Sequence, residues 1–147
     1  MNDKELLESV RNTLMIESES VNRLIDTISD ETVLKVIKLI GDCKGRIILS
    51  GCGTSGAAAK KIAHSLCCVE RPACFLSPAD AVHGALGLLQ KDDILILISK
   101  GGNTDELVGL ISACKAKGAR LIGVSENPDS TIARSSDVFL KVKVERE

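Results

Sequence analysis

Arg46-Ile-Ile-Leu-Ser-Gly51-Cys-Gly53-Thr-Ser-Gly56 is a short β-branched and apolar run that ends in a glycine-rich turn, followed at once by the alanine-rich stretch Ala57–Cys68. Strand, tight loop, helix is the order these residues dictate. It recurs toward the C-terminus. Ala73–Leu76 leads through a Ser77-Pro78 turn into a short helical stretch ending at Val82, and Asp93–Ser99 leads through Lys100-Gly-Gly-Asn103 into a helix from Thr104 to Lys117 that Gly118 stops. Arg120–Val124, a turn over Ser125–Asp129, a short helix over Ser130–Arg134 and a strand over Val138–Val144 complete the pattern.

Five strands therefore alternate with helices. Ile94-Leu-Ile-Leu-Ile98 has no polar face, which suits a parallel strand covered on both sides. The expected fold is α/β, a three-layer, doubly wound, five-stranded parallel sheet. Ligands of such sheets bind beyond the carboxyl ends of the strands, where the strand order reverses.

Upstream, apolar residues at Leu6, Leu7, Val10, Leu14, Val21, Leu24, Ile25 and Ile28 follow the helical period over residues 4–28. Ser29 caps a second helix carrying Val33, Val36, Ile37 and Ile40, with Gly41 near its end. We assign residues 1–45 to an N-terminal helical extension that packs on the domain or on a partner subunit, and 46–147 to the sheet domain. The first apolar stripe is longer than the cover such a sheet needs, so a homo-oligomer, dimer or tetramer, is expected.

The chain has 147 residues, 19 Lys+Arg and 20 Asp+Glu, and a net charge of -1. One core fits that length, and no basic field exists to attract nucleic acid or an anionic membrane. The polar, acidic start Met1-Asn-Asp-Lys-Glu5 lacks the apolar run of a signal peptide, so a cytoplasmic location is expected. Among the six cysteines no pair stands in C-x-x-C spacing and only two histidines are present, so neither a disulfide framework nor a bound metal is expected. Cys52 is set apart by its place in a candidate ligand loop near a helix N-terminus, where a thiol's pKa tends to fall. Without Trp or Tyr, and with only Phe75 and Phe139, a ligand must be gripped by polar atoms.

Gly51-Cys-Gly-Thr-Ser-Gly56 also fits the dinucleotide fingerprint G-x-G-x-x-G. The second strand, however, ends Phe75-Leu76-Ser77 with no carboxylate for a nicotinamide ribose. A phosphate suits the loop better. Gly53 frees backbone N–H groups, and Thr54 and Ser55 bring hydroxyls to the positive end of a helix. Ser99, Lys100, Gly101, Gly102, Asn103 and Thr104 repeat that chemistry at the third strand. Each loop alone reads equally well as turn and N-cap residues; two on one sheet edge point to a phosphosugar.

Ser50-Gly-Cys-Gly-Thr-Ser-Gly56, Ser77-Pro-Ala-Asp-Ala-Val-His-Gly84 and Ile98-Ser-Lys-Gly-Gly-Asn-Thr-Asp-Glu106 resemble, in order and spacing, three stretches of the sugar isomerase (SIS) domain family in its arabinose-5-phosphate isomerase branch. The likeness runs from about Glu17 to the end and takes in Ala133–Asp137 and Val142-Lys143. It implies a flavodoxin-like sheet, an oligomer with active sites between subunits, no cofactor, and interconversion of D-arabinose 5-phosphate and D-ribulose 5-phosphate. By the same likeness Ser55, Ser99 and Thr104 bind phosphate, while His83, Glu106 and Glu147 occupy polar active-site positions. Thr54 stands where the branch has Lys, as in the Cys-Gly-Thr-Ser form of glucosamine-6-phosphate synthase, and Gly101 stands where it has a second Ser. The family continues past Glu147 through a Thr/Ser-rich loop and a long helix, and longer relatives add paired cystathionine-β-synthase-type modules, neither of which is among these residues.

An aldose–ketose isomerisation needs a base to move a proton between C1 and C2, ring opening, and carbonyl polarisation. Glu106 is the leading base, set against its alternative as a first-turn helix acid, which is the role given to Asp105. His83, before a glycine in a loop, is assigned ring opening or proton relay. His64 reads as structural. Lys61 reads as a solvated helix lysine, and Lys60 as a candidate for the charge that Thr54 does not supply. The competing function is a non-catalytic sugar-phosphate sensor, which would keep the phosphate loops and lose the chemistry; Thr54 and Gly101 favour it, Glu106 and His83 the enzyme.

Overall fold

The structure, a computed structural model, describes residues 2–143. Two helices come first, α1 (Asp3–Thr27) and α2 (Asp30–Asp42). Then follow β1 (Ile47–Gly51), α3 (Gly53–Cys68), β2 (Ala73–Phe75), α4 (Pro78–Ala81), a 3-10 turn (Ala85–Leu88), β3 (Ile94–Ile98), α5 (Asp105–Lys117), β4 (Arg120–Ser125), α6 (Thr131–Ser135) and β5 (Val138–Lys141). All strand pairs are parallel, in the order β2-β1-β3-β4-β5. The reversal lies between β1 and β3.

Alternation along the strands builds two cores. Ile48, Leu95 and Leu121 lie in one register row and, with Leu97, pack under Leu107, Leu110 and Ile111 of α5 and Ile132 of α6. Leu49, Ile96 and Ile122 form the next row and turn to the opposite face, beneath Ala59 and Ala63 of α3 and Val36, Leu39 and Ile40 of α2. Three layers result, as expected for strands apolar on both faces. Among the described residues 21 apolar side chains are buried, and their removal from water is the main force holding the layers together.

The two N-terminal helices differ. Neither has a fully buried residue, but Val36, Leu39 and Ile40 of α2 pack partly buried against the sheet core, whereas no residue of α1 belongs to either core. It is held at its start by a capping box, in which the Glu5 N–H donates to Asn2 Oδ1 at 3.0 Å and the Asn2 N–H to Glu5 Oε2 at 2.8 Å. Leu14 is 61% exposed and Ile25 74%. Among the described residues no helix is long and apolar enough to cross a membrane.

Two element boundaries depart from the sequence expectation by more than one residue. α3 begins at Gly53 rather than Ala57, so Thr54 and Ser55 lie inside its first turn. The reason is close packing: a Cβ on Gly51 would meet the Ser55 carbonyl at 2.8 Å, and one on Gly56 the Gly51 carbonyl at 2.6 Å. Glycine at both positions lets the helix start directly against the strand end. β5 ends at Lys141, short of Val142 and Lys143, and Val144 lies outside the described residues.

Candidate active site

The β1–α3 and β3–α5 connections meet at the switch point, with α3 and α5 starting on opposite faces of the sheet. The first N–H groups of a helix lack intrahelical partners, so two partly positive helix ends converge on this edge. Neither N-cap residue, Cys52 nor Thr104, caps its helix with a side-chain hydrogen bond. A crevice of about 330 Å³ opens here, lined by Thr54, Ser55, Ser99 and Lys100 among others.

Within the second loop the hydroxyls of Ser99 and Thr104 are 2.9 Å apart, and the Gly102 N–H donates to Ser99 Oγ at 3.1 Å. Ser99 is buried and Thr104 half-buried, so the pair is ordered before any ligand arrives. Gly102 adopts φ +70, and it faces Ser130 Oγ and Ser125 Oγ, leaving no room for a side chain. The loop is tied from beneath: Ser125 Oγ donates to the Lys100 carbonyl at 2.8 Å, the Glu126 N–H to the same carbonyl at 3.1 Å, and the Thr131 N–H to Asn103 Oδ1 at 2.8 Å. The Asn103 side chain thus fastens the loop to the start of α6. Gly101 is open, and a Cβ at that position would meet nothing within 4 Å.

Glu106 is exposed in the first turn of α5. Its charge reaches across to the first loop, where the Cys52 thiol is pushed up, first by burial and second by the Glu106 carboxylate. This corrects the expectation that a helix N-terminus would lower that thiol. Burial and a neighbouring negative charge both disfavour the thiolate. His83 is exposed in the turn after α4, its N–H on the Asp80 carbonyl at 3.0 Å, and α4 packs against α5, the helix that carries Glu106. Glu147 lies outside the described residues.

Gly53 and Lys60 belong elsewhere on this edge. They line a second groove, about 560 Å³, with Phe75, Ser77 and Asp80, and the Lys60 ammonium lies 4.9 Å from the Phe75 ring centroid. A cation resting on an aromatic face does not replace the lysine that Thr54 displaces. His64 is exposed on α3 rather than packed in the core.

Sequence reasoning passed over the crevice wall formed by Ser125, Glu126 and Val142. The signal was present in principle, since every carboxyl end of a parallel sheet opens on the same edge. Ser125-Glu126 looked like an ordinary turn because nothing local distinguishes a turn on the ligand edge.

Known proteins share this arrangement. The SIS domain model matches residues 39–147. The arabinose 5-phosphate isomerase KpsF of Escherichia coli O6:H1 is 39% identical over 145 residues, which are 99% of this chain and 44% of that protein. The arabinose 5-phosphate isomerase KdsD of Pseudomonas aeruginosa is 36% identical over 143 residues, again 44% of its length. The chain thus spans less than half the length of these curated relatives. Among solved structures, a Listeria monocytogenes protein provisionally described as a sugar-phosphate isomerase superposes with a TM-score of 0.98 at 54% identity, covering 100% of this chain and 77% of that one. An Escherichia coli CFT073 protein in complex with arabinose 5-phosphate superposes with a TM-score of 0.93 at 32% identity, covering 100% of this chain and 78% of that one. With its strand order, its paired loops and a family match over residues 39–147, the chain belongs to the SIS domain family.

Proposed function

We propose that this chain acts on a phosphorylated sugar as an aldose–ketose isomerase, interconverting D-arabinose 5-phosphate and D-ribulose 5-phosphate through an enediol. The observation that carries the reading is the pre-ordered Ser99–Thr104 hydroxyl pair at the switch point, with Glu106 two residues further along. The names of the relatives and the arabinose 5-phosphate bound by the solved neighbour support the choice of sugar.

The phosphate takes the hydroxyls of Ser55, Ser99 and Thr104, with Thr54, Lys100, Gly101 and Gly102 around it. Anchored at C5, the sugar extends C1 and C2 toward the first turn of α5. Glu106 takes the C2 proton and returns it to C1, while His83 opens the ring or relays the hydroxyl proton. This proton shuttle draws on side chains alone, and the proposal includes no metal or organic cofactor. A charged metabolite as substrate fits the cytoplasmic location proposed for the domain.

The test is incubation of the protein with arabinose 5-phosphate in D2O, with exchange at C2 followed by NMR. Exchange is expected. Saturable binding without exchange would favour the second reading, a sugar-phosphate sensor, to which Thr54 and Gly101 point.

Binding itself is expected to require the phosphate, because the anchors are phosphate-cradling loops. Arabinose 5-phosphate should raise Tm, arabinose should not, and Ser99→Ala with Thr104→Ala should abolish the shift. Equal stabilisation by both sugars would defeat this expectation.

A homo-oligomer is the second expectation. Leu6, Leu7, Val10, Leu14, Met15, Val21 and Ile25 are exposed apolar residues of α1, and Leu34 and Ile37 are exposed on α2. Light scattering should give a multiple of the 15.6 kDa chain mass at micromolar concentration. Deleting residues 1–28 should change it; a monomer mass for the full chain would rule the oligomer out.

A further inference from the structure

All six cysteines are free, and the structure sorts them by what each thiol touches. Cys114 is buried and pushed up to about 11, mainly by that burial. Cys52 and Cys74 are raised, burial again the first cause. Cys43 Sγ lies 3.6 Å from the Asp92 carbonyl and 3.8 Å from that of Arg46, and Cys67 Sγ donates to the Ala73 carbonyl at 3.1 Å. Five thiols are therefore buried, raised or committed to carbonyl acceptors.

Cys68 differs. It is exposed in the last turn of α3, and its Sγ lies 3.7 Å from His64 Nε2, one turn earlier on the same face. The i,i+4 spacing holds thiol and imidazole side by side, and both are open to solvent. We propose that the Cys68–His64 pair is a site of mixed-disulfide formation with low-molecular-weight disulfides of the glutathione class.

His64 takes the Cys68 proton on Nε2, and the thiolate attacks one sulfur of the incoming disulfide. A new S–S bond forms at Cys68 as the old one breaks. The departing thiolate takes the proton from the imidazolium, so protein thiol and disulfide give a mixed disulfide and one free thiol. The disulfide is the oxidant and no other is needed. Residues 55 and 68 stand about 20 Å apart along the helix at 1.5 Å per residue, so the modified end of α3 is remote from the phosphate loops.

The full-length chain is incubated with glutathione disulfide, with adducts followed by intact mass and located by peptide mapping. The first adduct is expected at Cys68. His64→Gln, an exposed substitution that should leave Tm unchanged, is expected to slow that adduct roughly 10-fold or more by removing the base, while Cys67→Ser should leave its rate unchanged. A first adduct on any other cysteine, or an undiminished Cys68 rate in folded His64→Gln, overturns the proposal.

Discussion

Glu106→Gln is expected to cut C2 exchange of arabinose 5-phosphate by about 10²-fold or more, the usual scale for losing a general base, while leaving sugar-phosphate binding intact. The substitution keeps side-chain length and shape. Its backbone lies in the first turn of α5, where helix geometry and the buried Leu107 and Leu110 fix the residue's position regardless of its charge. The phosphate contacts proposed above belong to Ser55, Ser99 and Thr104, none of which depends on the Glu106 carboxylate. A loss in kcat with little change in ligand-induced Tm is therefore the signature of a base, whereas parallel losses would indicate a positioning role. A second readout is independent of turnover. The Glu106 charge contributes to raising the Cys52 thiol, so the variant should alkylate faster at Cys52 than wild type at a given pH, and burial should keep that thiol raised even then. If exchange stays within a few-fold of wild type, the base is another group, with His83 and Glu147 next in turn.

The fold was legible because its information is local and repeated. Ile94-Leu-Ile-Leu-Ile98, short, β-branched and closely followed by glycines, reads as a strand covered on both faces, and glycine at the end of the first strand and after the third marked the turns into α3 and α5. The boundary of α3 was misplaced because Gly51 and Gly56 looked like loop residues, whereas both serve a close approach between helix and strand that no local pattern encodes. At the site, small polar residues at strand ends announced a phosphate edge, but distances across the edge were beyond reach. Cys52 shows why: its environment is set by burial and by Glu106, 54 positions away in the chain, and a helix-terminus rule applied alone gave the wrong sign. Glu126 escaped for the same reason. A turn residue becomes a crevice wall only through its neighbours on other strands.

Gly102→Ala should destabilise the protein by about 2–5 kcal/mol and abolish sugar-phosphate binding, although it adds a single methyl group. Two costs combine. The residue holds φ +70, a left-handed conformation that costs a side-chain-bearing residue roughly 1–2 kcal/mol. The new Cβ would also run into Ser130 Oγ and lie 2.8 Å from Ser125 Oγ, and relieving such overpacking costs about 1–3 kcal/mol more. Neither hydroxyl can simply rotate away. Ser130 Oγ accepts the Ala133 N–H at 3.2 Å and donates to the Asn127 carbonyl at 2.8 Å, capping α6, while Ser125 Oγ holds the Lys100 carbonyl at 2.8 Å. Moving the loop instead breaks the Gly102 N–H to Ser99 Oγ bond, 3.1 Å, and unsettles the Ser99–Thr104 pair on which phosphate binding is proposed to rest. A domain near this size loses about 2–4 °C of Tm per kcal/mol, so Tm should fall by about 4–20 °C. Gly101→Ser is the matched control, since a Cβ there meets nothing within 4 Å. It should shift stability by less than about 0.5 kcal/mol, the ordinary range for surface changes, and would add a hydroxyl to the phosphate loop. Thermal denaturation of both variants, with and without arabinose 5-phosphate, decides the matter: a Gly102→Ala protein as stable as Gly101→Ser would show that the loop relaxes freely and that its order does not depend on glycine at 102.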